Sequence, residues 1–91
     1  MLDNILLLHP KDNVVVALKQ LKKGDKIKTE DVREFTVLDE IAKSHKIALD
    51  DIAKGKEIIK YGEAIAVSSM DIKKGQWVHT HNIETGSKEN G

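Results

Sequence analysis

"ALKQLKKGDKI", residues 17–27, returns as "ALDDIAKGKEI" at 48–58 and, more loosely, as "DIKKGQWV" at 71–78. Each copy has an apolar residue three positions before a glycine, another three positions after it, and lysine beside the glycine. Glycine enters the left-handed backbone region without the penalty a Cβ imposes. The phrase therefore predicts one short helical or 3₁₀ turn, a glycine cap and a new strand. The interval from Gly24 to Gly55 is half as long again as that from Gly55 to Gly75, too uneven for a stacked solenoid of fixed period. The repeat reads as a connector between strands.

Between the connectors lie short runs rich in aliphatic and β-branched residues: 5–8, 14–18, 35–38, 58–61, 64–68 and 77–83. Short strands joined by tight glycine turns predict a compact, mainly β, mostly antiparallel module. Segment 29–44 is ambiguous, because Val32, Phe35 and Leu38 fall at helical spacing while Phe35-Thr36-Val37-Leu38 also reads as a strand; we favour the strand. Residues 1–85 are expected to form one domain and 86–91, polar throughout, a flexible tail. The apolar run at 5–8 lacks a basic leader and the length of a membrane span, so we expect a strand there rather than a targeting segment.

Composition narrows the function classes. A chain of 91 residues supports one hydrophobic core region of modest depth, so a catalytic role calls for a partner that completes the cleft. Lysine plus arginine equals aspartate plus glutamate at 15 each, which lacks the basic footprint of nucleic-acid binding. One Phe, one Tyr and one Trp do not make a base-stacking platform. The absence of cysteine excludes disulfides, thiolate metal sites and cysteine nucleophiles, and agrees with a cytoplasmic location. Neither nucleic acid nor membrane is an expected partner.

The chemistry-bearing residues are histidines. In a strand over 77–83, His79 and His81 would point to the same side about 7 Å apart, able to converge on a divalent metal or to divide metal binding and proton transfer. Two histidines are only part of a ligand set, and an ordinary exposed strand face is the competing reading. Asn82 adds hydrogen-bonding capacity beside them, while Trp77 and Val78 read as packing residues. His45 stands where a loop meets a strand and could be aimed into a cleft. His9-Pro10, before Lys11-Asp12-Asn13, reads as a turn with a structural or inert histidine. The connector lysines Lys22, Lys23, Lys54, Lys56, Lys73 and Lys74 suit a solvated surface.

The words Asp12-Asn13-Val14, His45 to Ile52 (HKIALDDI), Lys60 to Ile65 (KYGEAI) and Trp77 to Asn82 (WVHTHN) stand in an order that resembles the SAF domain of altronate and galactarate dehydratases. In some members that domain is a free-standing small subunit, as in sulfolactate sulfo-lyase. The resemblance spans about residues 5 to 85. It implies a β-clip fold, a lyase reaction on a hydroxylated acid such as altronate, galactarate or sulfolactate, and a divalent metal, commonly Fe2+, with Mn2+ or Mg2+ as alternatives. It further implies a large dehydratase-like subunit as partner, with the small chain inactive alone. On that basis His45, His79 and His81 are candidates for a composite catalytic site, His79 and His81 for metal ligands, and Asn82 for substrate contact. A homo-oligomer is left open. The competing class is a non-catalytic SAF-type carbohydrate-binding or assembly module. Two departures from the family stand out: Ala64 and Ala66 where proline and glycine are common, and Ala42-Lys43-Ser44 where a glycine turn commonly precedes His45.

Overall fold

A computed structural model describes residues 4–29 and 34–84. The described residues form nine short strands: β1 (Ile5–Leu6), β2 (Val14–Ala17), β3 (Lys26–Lys28), β4 (Glu34–Thr36), β5 (Lys46–Ala48), β6 (Glu57–Lys60), β7 (Glu63–Ser68), β8 (Trp77–Val78) and β9 (Ile83–Glu84). All pairings are antiparallel, in a β1-β2-β5-β8 sheet, a β3-β4 ribbon and a β6-β7-β9 sheet. The mainly β expectation holds, and Glu34–Thr36 is strand, as favoured. The supposed tail at 86–91 lies outside the described residues.

The four-stranded sheet is covered on both sides. Val15, Ala17, Ile47 and Leu49 face one apolar cluster with Ile27, Phe35 and Val37, whereas Val14, Ala48 and Val78 face another with Ile58, Ala66 and Ile72. Successive strand residues point to opposite faces, so a strand covered twice must be apolar at both parities. Val14, Val15, Ile47 and Ala48 meet that demand and are at most 1% exposed. The outlying β3 and β4, by contrast, alternate charged or polar residues outward with Ile27 and Phe35 inward.

The connector phrase proves to have a fourth copy, and it sets the architecture. Ile41-Ala42-Lys43-Ser44-His45-Lys46-Ile47 has the same spacing, with Ser44 in the glycine position and a left-handed φ of 76° beside 96°, 88° and 92° at Gly24, Gly55 and Gly75. In all four copies an amide donates to the carbonyl three residues back: Asp25 to Lys22, His45 to Ala42, Lys56 to Ala53 and Gln76 to Lys73. With the third residue left-handed, these are type II-like β-turns. The turns therefore replace the expected helical or 3₁₀ connectors.

In chain order, the first two copies are bridged by Leu21 and Ile41, the last two by Ile52 and Ile72. The step from Leu21 to Ile52 equals the step from Ile41 to Ile72. Backbone bonds repeat at that same step: Gly24 N to Val37 O and Gly55 N to Ser68 O, then Ser44 N to Ala17 O and Gly75 N to Ala48 O. The described residues of 17–47 and 48–78 thus share one pattern of turns, bridges and backbone bonds, a regularity that the glycines alone conceal.

A separate clamp holds the β6–β7 hairpin. Tyr61 and Gly62 both have positive φ, 58° and 76°, the requirement of a type I′ two-residue loop. Their amides donate to the carboxylate of Asp12, which is 1% exposed. The side chain of Asn13 bonds Glu57 O and Ile59 N on the same hairpin. His9 is structural, as expected: its Nδ1 accepts from Lys11 N, and its ring lies where a side chain on Gly62 would stand.

Candidate functional site

The strand expected over 77–83 is interrupted. Trp77 and Val78 belong to β8, residues 79–82 turn, and Ile83 begins β9. Asn82 causes the interruption: its backbone N–H donates to His79 O at 3.0 Å, its Oδ1 accepts from His79 N at 3.0 Å, and its Nδ2 donates to Trp77 O at 2.8 Å. A short amide side chain that bonds nearby backbone competes directly with the strand ladder. Asn82 is 3% exposed, with both polar side-chain atoms engaged by backbone. It holds the turn, and strand alternation is not what pairs the imidazoles.

The turn nevertheless gathers the histidines. Pairing of Ile47 with Trp77 and of Lys46 with Val78 carries His45 opposite His79. The His45 and His79 ring centroids are 5.1 Å apart. The indole of Trp77 stacks on His79 at 5.1 Å with planes 9° apart, and also meets His81 at 5.0 Å and 40°. His45 completes the group, its ring 5.6 Å from the indole and its Nδ1 accepting from Trp77 Nε1 at 3.0 Å. Three imidazoles, one of them far from the other two in the chain, thus share one indole. His81 is exposed, while His45, Trp77 and His79 are half-buried.

Trp77, which reads from the sequence as packing, is the organiser of the group. It does pack against the first apolar cluster, and its amide donates to Asp39 Oδ2 at 2.9 Å, a long-range contact with no local signal. Its position beside the HTH turn is the clue the sequence offers. Ser44 keeps the turn before His45 in the left-handed geometry a glycine would give, so the departure at 42–44 leaves His45 presented at the start of β5.

Among the described residues, no group of three or more His, Cys, Asp or Glu side chains is placed to hold a metal ion. A catalytic divalent site needs about three protein ligands, so the described residues do not make a metal centre by themselves. The arrangement suits hydrogen bonding to a polar, anionic ligand along an aromatic wall. The connector lysines remain at their turns, five exposed and Lys74 half-buried. Lys46 and Lys60, which lie in the HKIALDDI and KYGEAI words, interact with each other. Burial, and secondly the Lys60 charge, lower the Lys46 ammonium below its usual range. No helix among the described residues is long and apolar enough to cross a membrane.

Comparison with known proteins matches the family described as "Altronate/galactarate dehydratase SAF domain" over residues 3–86. The chain belongs to this family. It is 44% identical over 78 residues to an altronate dehydratase of Escherichia coli, covering 86% of this chain and 16% of that protein. To the altronate dehydratase of Bacillus subtilis it is 38% identical over 82 residues, again covering 16% of the relative. It is also 39% identical over 59 residues to the (2R)-sulfolactate sulfo-lyase subunit alpha of Paracoccus pantotrophus, covering 63% of this chain and 88% of that subunit. The SAF chain is therefore related to a small part of large dehydratases and to most of a sulfo-lyase subunit, which supports a lyase-related role.

Proposed function

We propose that this SAF chain is the small subunit of a carbon–oxygen or carbon–sulfur lyase acting on a hydroxylated acid such as altronate, galactarate or sulfolactate. The observation that carries the reading is the convergence of His45, His79 and His81 on Trp77, on a half-exposed wall that a second polypeptide can close. Similarity to most of a sulfo-lyase alpha subunit supports a separate large partner.

Elimination from such an acid requires loss of the proton beside the carboxylate and departure of a β substituent, water or sulfite. The wall offers hydrogen-bonding imidazoles for the charge that develops on the acid's oxygens. The divalent cation implied by the resemblance, Fe2+ with Mn2+ or Mg2+ as alternatives, belongs with the large subunit, because the described residues of this chain present too few ligands. Asn82 acts by holding His79 and Trp77 in place.

The test is co-purification with a large dehydratase-like subunit, metal analysis of the complex, and turnover assays on the three acids. His79→Ala and His81→Ala are each expected to lower turnover; normal turnover in both variants would defeat the composite site. Turnover by the isolated chain would equally contradict it.

A further inference from the structure

We infer that Trp77 is a positioning residue that fixes His45 as its Nε2–H tautomer, so that His45 meets an anionic oxygen of the substrate as a hydrogen-bond donor. The identity of that oxygen rests on the lyase reading above; the tautomer does not.

Indole Nε1 carries a hydrogen and has no accepting lone pair. In the 3.0 Å contact between Trp77 Nε1 and His45 Nδ1, the imidazole nitrogen must therefore accept. A neutral imidazole whose Nδ1 lone pair is engaged carries its hydrogen on Nε2. The direction of this bond is set by the chemistry of the donor, which removes the usual ambiguity over histidine tautomers. The free edge of His45 thus presents one N–H donor and offers no lone pair to a metal ion. His45 is thereby a contact for a carboxylate, alkoxide or enediolate oxygen, not a proton acceptor at that edge.

The donor is oriented before any ligand arrives. Trp77 is held at its amide by Asp39, at its carbonyl by Asn82 and along β8 by the pairing with Ile47. The His79 ring, 5.1 Å away, bounds His45 on a further side. A donor fixed in this way loses little to reorganisation when charge develops opposite it, which makes such groups effective in water-poor sites. An indole has a single N–H, and His45 takes it; His79 and His81 meet Trp77 ring against ring.

Nitrogen-15 NMR of the full-length wild-type chain at mildly alkaline pH decides the tautomer. His45 Nδ1 is expected in the unprotonated range and Nε2 in the protonated range, with exchange of the Trp77 Nε1 hydrogen slowed. A protonated Nδ1 would overturn the inference. Trp77→Phe keeps an aromatic ring but removes the donor, and the two His45 resonances should then move toward each other; unchanged resonances would also overturn it.

The role is tested separately in the reconstituted pair, on whichever of altronate, galactarate or sulfolactate the wild-type pair turns over. His45→Gln retains an N–H near the Nε2 position, whereas His45→Ala does not. We expect kcat to fall roughly 10²-fold in His45→Ala, and His45→Gln to stay within about tenfold of wild type with KM little changed. Equal losses in the two variants would sink the donor role while leaving the lyase reading intact. Normal turnover in both would remove His45 from the site altogether.

Discussion

Replacing the positive-φ glycines one at a time by alanine separates two costs that the repeat confounds. At Gly24 and Gly55 nothing lies within 4 Å of an added Cβ, so the substitution meets only the left-handed backbone. That conformation costs an L-residue about 1–2 kcal/mol, offset by about 0.4–1 kcal/mol because alanine restricts the unfolded chain. The net loss is about 0–1.6 kcal/mol at each. At Gly75 the backbone cost is the same, but an added Cβ would overlap the carbonyl oxygen of Thr36 and touch the carbon of that carbonyl and Leu38. Thr36 cannot retreat freely: it lies in β4, and the next residues are fixed by Val37 N to Asp25 O and Leu38 N to Gly75 O, both 2.8 Å. Overpacking against fixed atoms adds about 1–3 kcal/mol.

Gly75→Ala should therefore lose about 1–3 kcal/mol more than either of its two equivalents. For a chain of this length each 1 kcal/mol moves Tm by about 4–8 °C. Urea unfolding followed by fluorescence measures the series, since Trp77 is the single tryptophan and lies close to the substitution in the chain. The m-values should agree within the series, so that midpoints report stability alone. Ser44→Gly should move the other way, by roughly a few tenths of a kcal/mol, because it relieves the one non-glycine turn. A Gly75→Ala loss within about 0.5 kcal/mol of Gly24→Ala would refute the close approach to Thr36.

Asn82→Ala leaves His79 N–H and Trp77 C=O without their partner and should cost about 1–3 kcal/mol, with weakened stacking on Trp77 seen as altered fluorescence; a loss below about 0.5 kcal/mol would mean that the turn stands without its clamp. Lys46→Met should raise the urea midpoint at neutral pH. The lowered Lys46 pKa means that the unfolded chain holds more protons between that value and 10.5, so wild-type stability rises with pH across this window. The variant should lose that rise, and a lower neutral-pH midpoint than wild type would contradict the burial and repulsion assigned to Lys46.

The apolar strands and the glycine turns are legible in the sequence because they are local. The apolar run at Val14-Val15-Val16 and the spacing around Gly24 and Gly55 depend on nearest neighbours and on whether a residue has a Cβ. Yet β3 and β5 are not among the apolar runs, since each is three residues long and embedded in a connector phrase; only the glycine turn before β3 and the loop edge at His45 point to them. The fourth turn is hidden because Ser44 accepts a conformation ordinarily reserved for glycine. The HTHN segment misleads for the opposite reason: its composition suits a strand, and only the side chain of Asn82, folding back on Trp77 and His79, converts it to a turn. His45, Trp77 and the HTH histidines can each be picked out singly, but their gathering depends on the β5–β8 register, a pairing between segments distant in the chain.

The correspondence of the two halves also separates residues set by the shared backbone pattern from residues that are not. At that common step Leu21 corresponds to Ile52, Ile27 to Ile58, Ile41 to Ile72 and Ile47 to Val78, all buried aliphatic residues. Backbone geometry and core volume hold those positions to one residue type. In the same correspondence His45 matches Gln76 and Lys46 matches Trp77, while His79 and His81 lie just beyond the second half. The halves agree at these four core positions and differ at His45 and Trp77, the two members of the imidazole–indole group that they contain. Residue type at these two positions is not set by the shared backbone pattern, since Gln and Lys occupy the same places in the other half, whereas the four aliphatic pairs are set by burial.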